Sequence, residues 1–237
     1  MTEAASPINH FKKVVSDLYT TTHIDSLLNA DILTSKPWAE FRDSWQDLHI
    51  DEYMNDSGKY RQRRFCKAKY NASDDSLWLK EHDYYFQPPA INPLNGGVKR
   101  WFQQLTGDTF YNVVFNKLLK SMGRELTVHS GQAIWDINVY QNRIIAEQGN
   151  EGKPSPEGIH KDGVKYTLLL LMNRDNVTGG ENTIYDLKKN PLFSHTLTQE
   201  GECILFSDDP TFHYASEIVQ IDRSIAGFRD VLVVEFY

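Results

Sequence analysis

The stretch EGIHKDGVKYTLLLLMN, Glu157 to Asn173, decides how the rest of the chain is read. His160 and Asp162 sit two residues apart, just ahead of an apolar run. In an extended strand, residues i and i+2 point to the same side. An imidazole and a carboxylate can therefore aim at one point while Lys161 faces away. Gly163 relieves crowding beside the aspartate. Taken alone, the pair also fits the polar end of an ordinary buried strand, so the surrounding chain has to decide between a metal site and a strand end.

Downstream of Leu126 the pattern is one of short strands. Candidates cover 126–129, 133–145, 164–172, 182–186, 202–207, 212–219 and 228–236, with turn signals QGNEGKPSPEG, NVTGG, LKKNP and SDDP between several of them. Upstream the spacing is helical. Ser6 suits an N-cap and Pro7 a first helical position, followed by Ile8, Phe11, Val15 and Leu18 at helical steps. Pro37 to Leu48 carries Trp38, Phe41, Trp45 and Leu48 in the same way. Phe110 to Met122 reads as a third helix with Val113, Val114, Leu118 and Met122 on its apolar face, and Gly123 as its stop. Phe65 to Tyr70 suggests one early strand, and the polar, aromatic region with Pro88–Pro89 and NPLNGG suggests loops over the fold. The expectation is an α+β chain with a mainly β core: a double-stranded β-helix of jelly-roll or cupin type, with N-terminal helices packed on it. A plain sandwich fits nearly as well. One domain is expected over 1–237, with 1–125 mostly helix and loop and 126–237 the β-helix.

A chain of 237 residues with 40% apolar content can bury a large core without staples. Its two cysteines, Cys66 and Cys203, form no metal-ligand spacing and no disulfide framework. The N-terminus lacks the apolar core of a signal peptide, and the longest apolar run is strand-sized. Cytoplasmic location is expected, and the sequons at Asn55, Asn71 and Asn176 then carry no meaning. A net charge of −7 argues against a nucleic-acid partner. The one basic cluster, RQRRF at Arg61 to Phe65, serves either structural ion pairs or an anionic small molecule.

Of the eight histidines, only His195 and His213 follow the His-x-Asp pair. His195 lies in LFSHTLTQ, a hairpin edge. His213 lies in DDPTFHYASEIV at the start of a strand. Two imidazoles and one carboxylate at three corners of an octahedron leave three positions open, the facial set of non-haem Fe(II) oxygenases. Zinc hydrolases use similar ligands but usually supply a recognisable general base close by, and no HExxH is present. A 2-oxo acid would chelate such a metal, and its distant carboxylate would need a fixed arginine. Arg229, opening the apolar strand FRDVLVVEFY, suits that role better than Arg223 in a polar turn.

The order GIHKDG, LLMN, TGGEN, FH, FRDVLVVEF resembles the bacterial Fe(II)/2-oxoglutarate-dependent dioxygenases that hydroxylate free amino acids, of the L-isoleucine 4-hydroxylase type. The coverage runs from Val139 to Phe236, with weaker echoes in RQRRF and GGVKRWF. The resemblance implies Fe(II) held by His160, Asp162 and His213, and Arg229 on the C5 carboxylate of 2-oxoglutarate. It also implies O2 as co-substrate, succinate and CO2 as products, and a free, aliphatic amino acid as the hydroxylated substrate. GKPSPEG, just before the motif, departs from that pattern.

An amino acid needs a cation for its carboxylate and an acceptor for its ammonium. Candidates are Glu157, Arg100, and Arg143, which shares a face with Trp135, Ile137, Val139 and Gln141 by alternation and could look into the barrel mouth. Tyr84, Tyr85 and Phe86 form either a lid or packing under a loop. Two alternatives remain at this level: a cupin-like binding module without turnover, and the same oxygenase chemistry on another small molecule or a peptide. No membrane partner is expected.

Overall fold

The run TLLLLM does not alternate because both faces of its strand are covered. The computed structural model describes residues 7–92 and 94–237. In chain order the elements are α1 (Pro7–Asp17), β1 (Tyr19–His23), α2 (Ile24–Leu28), α3 (Lys36–Asp43) with a 3-10 turn (Ser44–Asp47), β2 (His49–Ile50), β3 (Arg61–Asn71), β4 (Ser76–Leu79), α4 (Gly107–Phe110), α5 (Val113–Ser130), β5 (Ile134–Ala146), β6 (Tyr166–Asp175), β7 (Val177–Gly179), β8 (Asn182–Tyr185), β9 (Pro191–His195), β10 (Glu202–Ser207), β11 (Phe212–Ala215), β12 (Ile218–Gln220) and β13 (Gly227–Phe236).

The large antiparallel sheet runs β1-β10-β6-β13-β5-β3-β2, with β4 on β3. One face carries the helices. There Trp135, Ile137 and Val139 of β5, Leu168 and Leu170 of β6, and Leu232 and Val234 of β13 pack with Trp38, Phe41, Phe115, Leu118 and Met122. The other face turns toward the small sheet β11-β8-β9, and Leu171, Ile204, Phe206 and Val231 meet Ile184. Two facing antiparallel sheets with helices outside the larger one form the expected double-stranded β-helix. The period of two sorts each strand's residues between a helix side and an inner side.

Several expectations are corrected. The segment 126–129 is helix, not strand: α5 continues to Ser130 and caps at Gly131, φ 74°. Leu126, buried like Met122 and Leu119, extends the helix's apolar face, and this tertiary burial outweighs the β propensity of Thr127 and Val128. Gly123 is no stop. A Cβ there would fall 2.2 Å from the ring of Tyr70, so the glycine lets the helix approach β3 closely. Val113 is 69% exposed, off the apolar face assigned to it. In α1 it is Val14, not Val15, that joins Phe11 in the core, and Leu18 lies past the helix end. The expected N-cap, Ser6, and the Ile8 side chain lie outside the described residues. Pro37 to Leu48 is helical only to Asp43, then 3-10. The 212–219 strand splits into β11 and β12, which join different sheets. The N-terminal part is less purely helix and loop than expected, since β1 to β4 all join the large sheet. No helix among the described residues is long and apolar enough to cross a membrane.

Candidate metal centre and its cavity

His160 stands just before β6 and His213 stands in β11, and a reciprocal backbone bridge joins them. The His160 N–H donates to the His213 carbonyl at 3.0 Å and the His213 N–H to the His160 carbonyl at 2.8 Å. This pairing brings the imidazoles to a 4.2 Å centroid separation. Asp162 reaches between them, with Oδ2 3.3 Å from His213 Nε2 and Oδ1 3.8 Å from His160 Nε2. One ligand atom from each of the three residues lies within 4.8 Å of the others. His160 Nδ1 lies 2.8 Å from the Gly158 carbonyl, and donating to it would leave Nε2 as the free lone pair.

Asp208, fully buried, ties the two halves together. Its carboxylate accepts the backbone N–H groups of Asp162, Gly163 and Val164 and lies 3.4 Å from His213 Nδ1. Burial raises the Asp162 carboxyl above its usual range, with the two imidazoles pulling the other way. Burial lowers His213, but Asp162 and Asp208 outweigh it and lift the imidazole above its ordinary value. Burial also works against Asp208, whose contacts with His213 and the N–H donors still hold it below the carboxylate range. A cluster of this sign, with donors converging on one point, suits a divalent cation.

The three residues line a cavity of about 950 Å³, including its mouth. Arg229 stands in its wall on the inner side of β13, only 3% exposed. Among the described residues no carboxylate pairs with it. Its Nη2 lies 3.5 Å from Asn182 Oδ1, and its Nε has no hydrogen-bond partner. Burial and the neighbouring Arg174 push the guanidinium down to about 10, so it stays charged at neutral pH. Gly180 of TGGEN, at φ 73°, makes room for it; a Cβ there would sit 3.2 Å from Arg229 Cδ. The same cavity has Leu169, Ile184, Val231 and Val233 in its wall.

A family model described as 2OG-Fe dioxygenase matches residues 42–235. The chain belongs to the 2OG-Fe dioxygenase family. Enzymes of this family use Fe(II), 2-oxoglutarate and O2, and the donor set His160, Asp162, His213 suits Fe(II). Among curated proteins, the "Bifunctional enzyme flvA" of Aspergillus flavus is 25% identical over 204 residues, covering 76% of this chain. The chain spans only 23% of that relative's length. Among solved structures, a bsmA homolog from Methylobium petroleophilum superposes with a TM-score of 0.88 at 24% identity, covering 98% of this chain and 93% of that one. IDO from Bacillus thuringiensis gives 0.81 at 17%, covering 100% and 97%. The Fe(II)/α-ketoglutarate-dependent dioxygenase TqaL gives 0.74 at 16%, covering 97% and 86%. At these identities the structural likeness speaks for the fold.

The remaining sequence candidates divide. Glu157 and Arg100 both line the cavity. The Glu157 side chain is 10% exposed and its Oε1 lies 3.3 Å from His160 Nε2. Arg143 is corrected. The alternation was right but the face is the helix side, and its Nε and Nη2 each donate to Asp230 at 2.7 Å. The inner face of β5 is the other set, Tyr140, Asn142 and Ile144. RQRRF splits the same way: Arg61 and Arg63 line the cavity, while Arg64 pairs with Asp47. Arg223 is exposed and His195 sits on the edge strand β9, as expected. Tyr85 is buried packing, edge-on to Phe65 and Tyr140, whereas Phe86 is 46% exposed. Sequence reasoning missed Asp208, Asn182 and Glu235. Glu235 lines the cavity, accepts from Asn138 Nδ2 and the Tyr140 hydroxyl, and is pushed well above its usual range by burial and by Asp162. A lone acid in phase with Arg229, Val231 and Val233 was the signal for it.

Proposed function

We propose that the chain is an Fe(II)/2-oxoglutarate-dependent dioxygenase that hydroxylates an unactivated C–H bond of a free L-amino acid, taken as aliphatic from the resemblance. His160 Nε2, Asp162 and His213 Nε2 hold the iron. Arg229, helped by Asn182, takes the C5 carboxylate of 2-oxoglutarate, and Leu169, Ile184, Val231 and Val233 bed its methylenes. Bound iron supplies O2 activation, so that substrate C–H, 2-oxoglutarate and O2 become C–OH, succinate and CO2. The protein orients both organic acids and shields the reacting centre from water. Arg100 and Glu157 stand on the substrate side. Arg143 is withdrawn from it. The reading takes residues 1–237 as one dioxygenase unit, acting in the cytoplasm on a small molecule, without nucleic-acid or membrane partners.

The observation that carries this reading is the buried, unpaired Arg229 in one cavity with three converging ligands. A buried cation without a counter-charge is costly unless a ligand supplies one. The test is to incubate the protein with Fe(II), ascorbate, 2-oxoglutarate and an amino-acid panel, and to measure succinate. Substrate-stimulated succinate is expected from at least one amino acid; none across the panel sinks the assignment.

A further inference from the structure

Apart from Arg229, the cavity wall holds three arginines with few direct counter-charges. Arg61 and Arg63 share a single carboxylate, Asp51, at 2.8 and 3.2 Å. Arg100 has no acid partner among the described residues. Its Nη2 donates to the Gln87 amide oxygen at 3.0 Å and its guanidinium lies 4.7 Å from the centroid of the Tyr85 ring. Arg63 and Arg100 are 7% and 2% exposed; Arg63 Nε is the atom that faces Asp51, whereas Arg100 Nε has no hydrogen-bond partner among the described residues. The Asn95 Nδ2, in the same wall, is also unpartnered. Two buried donors in this wall, Arg100 Nε and Asn95 Nδ2, are therefore unused, and Arg63 beside them has only a shared carboxylate.

The same cavity is lined by two residues with an unused buried acceptor, Asn142 and Glu157, of which only Glu157 is an acid. Glu157 Oε2 is buried without a partner, and Oε1 touches only His160 Nε2. That nitrogen gives its lone pair to a metal in the proposed centre, and a metal-bound imidazole nitrogen donates no proton. Glu157 then has no donor at either oxygen. Buried donors and acceptors left unmet in the same cavity are complementary to a ligand that carries both signs.

We propose that Arg63, Arg100 and Glu157 form a clamp for an aminocarboxylate: the carboxylate on the two arginines, assisted by Asn95, and the protonated amine on Glu157, beside the metal ligands. Arg61 stays with Asp51 as a support. The inference rests on the dioxygenase reading above and goes further, because it names the charges that admit a substrate. A compound lacking either charge leaves one end of the clamp unmet, so 2-hydroxy acids, N-acylated amino acids and amino-acid amides are excluded. The amine that meets Glu157 has two sources, the α-amine or a side-chain amine such as that of ornithine or lysine.

The test takes the amino acid giving most succinate in the panel, with its 2-hydroxy acid, N-acetyl and amide analogues, and ornithine and lysine with either amine acetylated. Wild-type protein is expected to turn over only compounds with a free amine and a free carboxylate. Which acetylated isomer survives tells which amine is bound. Glu157→Gln keeps size and is expected to raise KM for the amino acid by about tenfold or more, and to cut the preference over the 2-hydroxy acid by a similar factor. Calorimetry with the Mn(II)- and 2-oxoglutarate-loaded protein should show the same loss in affinity, with 2-oxoglutarate binding unchanged. Arg100→Gln should weaken binding of the amino acid but not of its amide. If Glu157→Gln leaves the amino-over-hydroxy preference unchanged while amino acids are still hydroxylated, the clamp is wrong and the dioxygenase reading stands. A wild-type protein that binds 2-oxoglutarate yet rejects every amino acid overturns the clamp and the amino-acid reading together.

Discussion

Arg143 and Arg229 belong to adjacent strands of one sheet, paired one register step apart, and they live opposite lives. Arg143 turns to the helix side, where Asp230 takes both of its N–H groups at 2.7 Å. Arg229 turns inward and finds only Asn182 at 3.5 Å. The helix side of the sheet is closed, its charges paired. The inner side keeps charges open, and function sits where pairing is left incomplete.

The largest break in this contrast comes at the metal. His160→Ala should abolish substrate-stimulated succinate, a loss of about a thousandfold or more, while circular dichroism stays that of the folded protein. Next, Arg229→Gln should raise KM for 2-oxoglutarate by roughly a hundredfold, with a smaller change in kcat. Thermal stability should not fall, since the variant removes an unpaired buried charge. Asp208→Asn weakens the hold on both Asp162 and His213, so Fe(II) affinity should drop by about tenfold, read by titration with Mn(II) or Fe(II).

The smallest effect on catalysis belongs to Arg143→Ala, which should leave KM for 2-oxoglutarate unchanged but cost about 3 kcal/mol of stability by stranding Asp230. This loss should depend on pH. Burial already raises the Asp230 carboxyl above its ordinary value, with Arg143 pulling it back. Without Arg143 it rises further, so the folded state favours the protonated acid more. The stability difference between variant and wild type should be small below the carboxylate range and grow as pH rises through it. Denaturant melts at acidic and neutral pH check this.

The same two arginines mark what the sequence could tell. Alternation along AIWDINVYQNRIIA sorts Arg143 from Asn142 correctly, but a period of two has no sign: only the helices, packed from elsewhere in the chain, decide which set is inside. His160, Asp162 and His213 were legible because ligand chemistry constrains residue type and order. The buried, inward place of Arg229 was legible because the residue opens an apolar strand. Asp208 was hidden in the turn SDDP, where an acid needs no explanation, and its role depends on three backbone N–H groups that no side-chain pattern announces. Gly123 read as a helix stop because glycine's need for a positive φ and its lack of a Cβ look alike in a sequence. Here the close approach to Tyr70 was the reason.

The backbone bridge between His160 and His213 has a consequence for how such an enzyme can change. The spacing of the two histidines is set by main-chain hydrogen bonds, which any residue could make, while Glu157 stands outside the bridge on the preceding turn. Sequence variation through 154–158 can therefore redraw which molecule is admitted without rebuilding the metal centre. Under the proposed clamp, a substitution at Glu157 would change which molecule is admitted while the backbone bridge still sets the spacing of the two histidines.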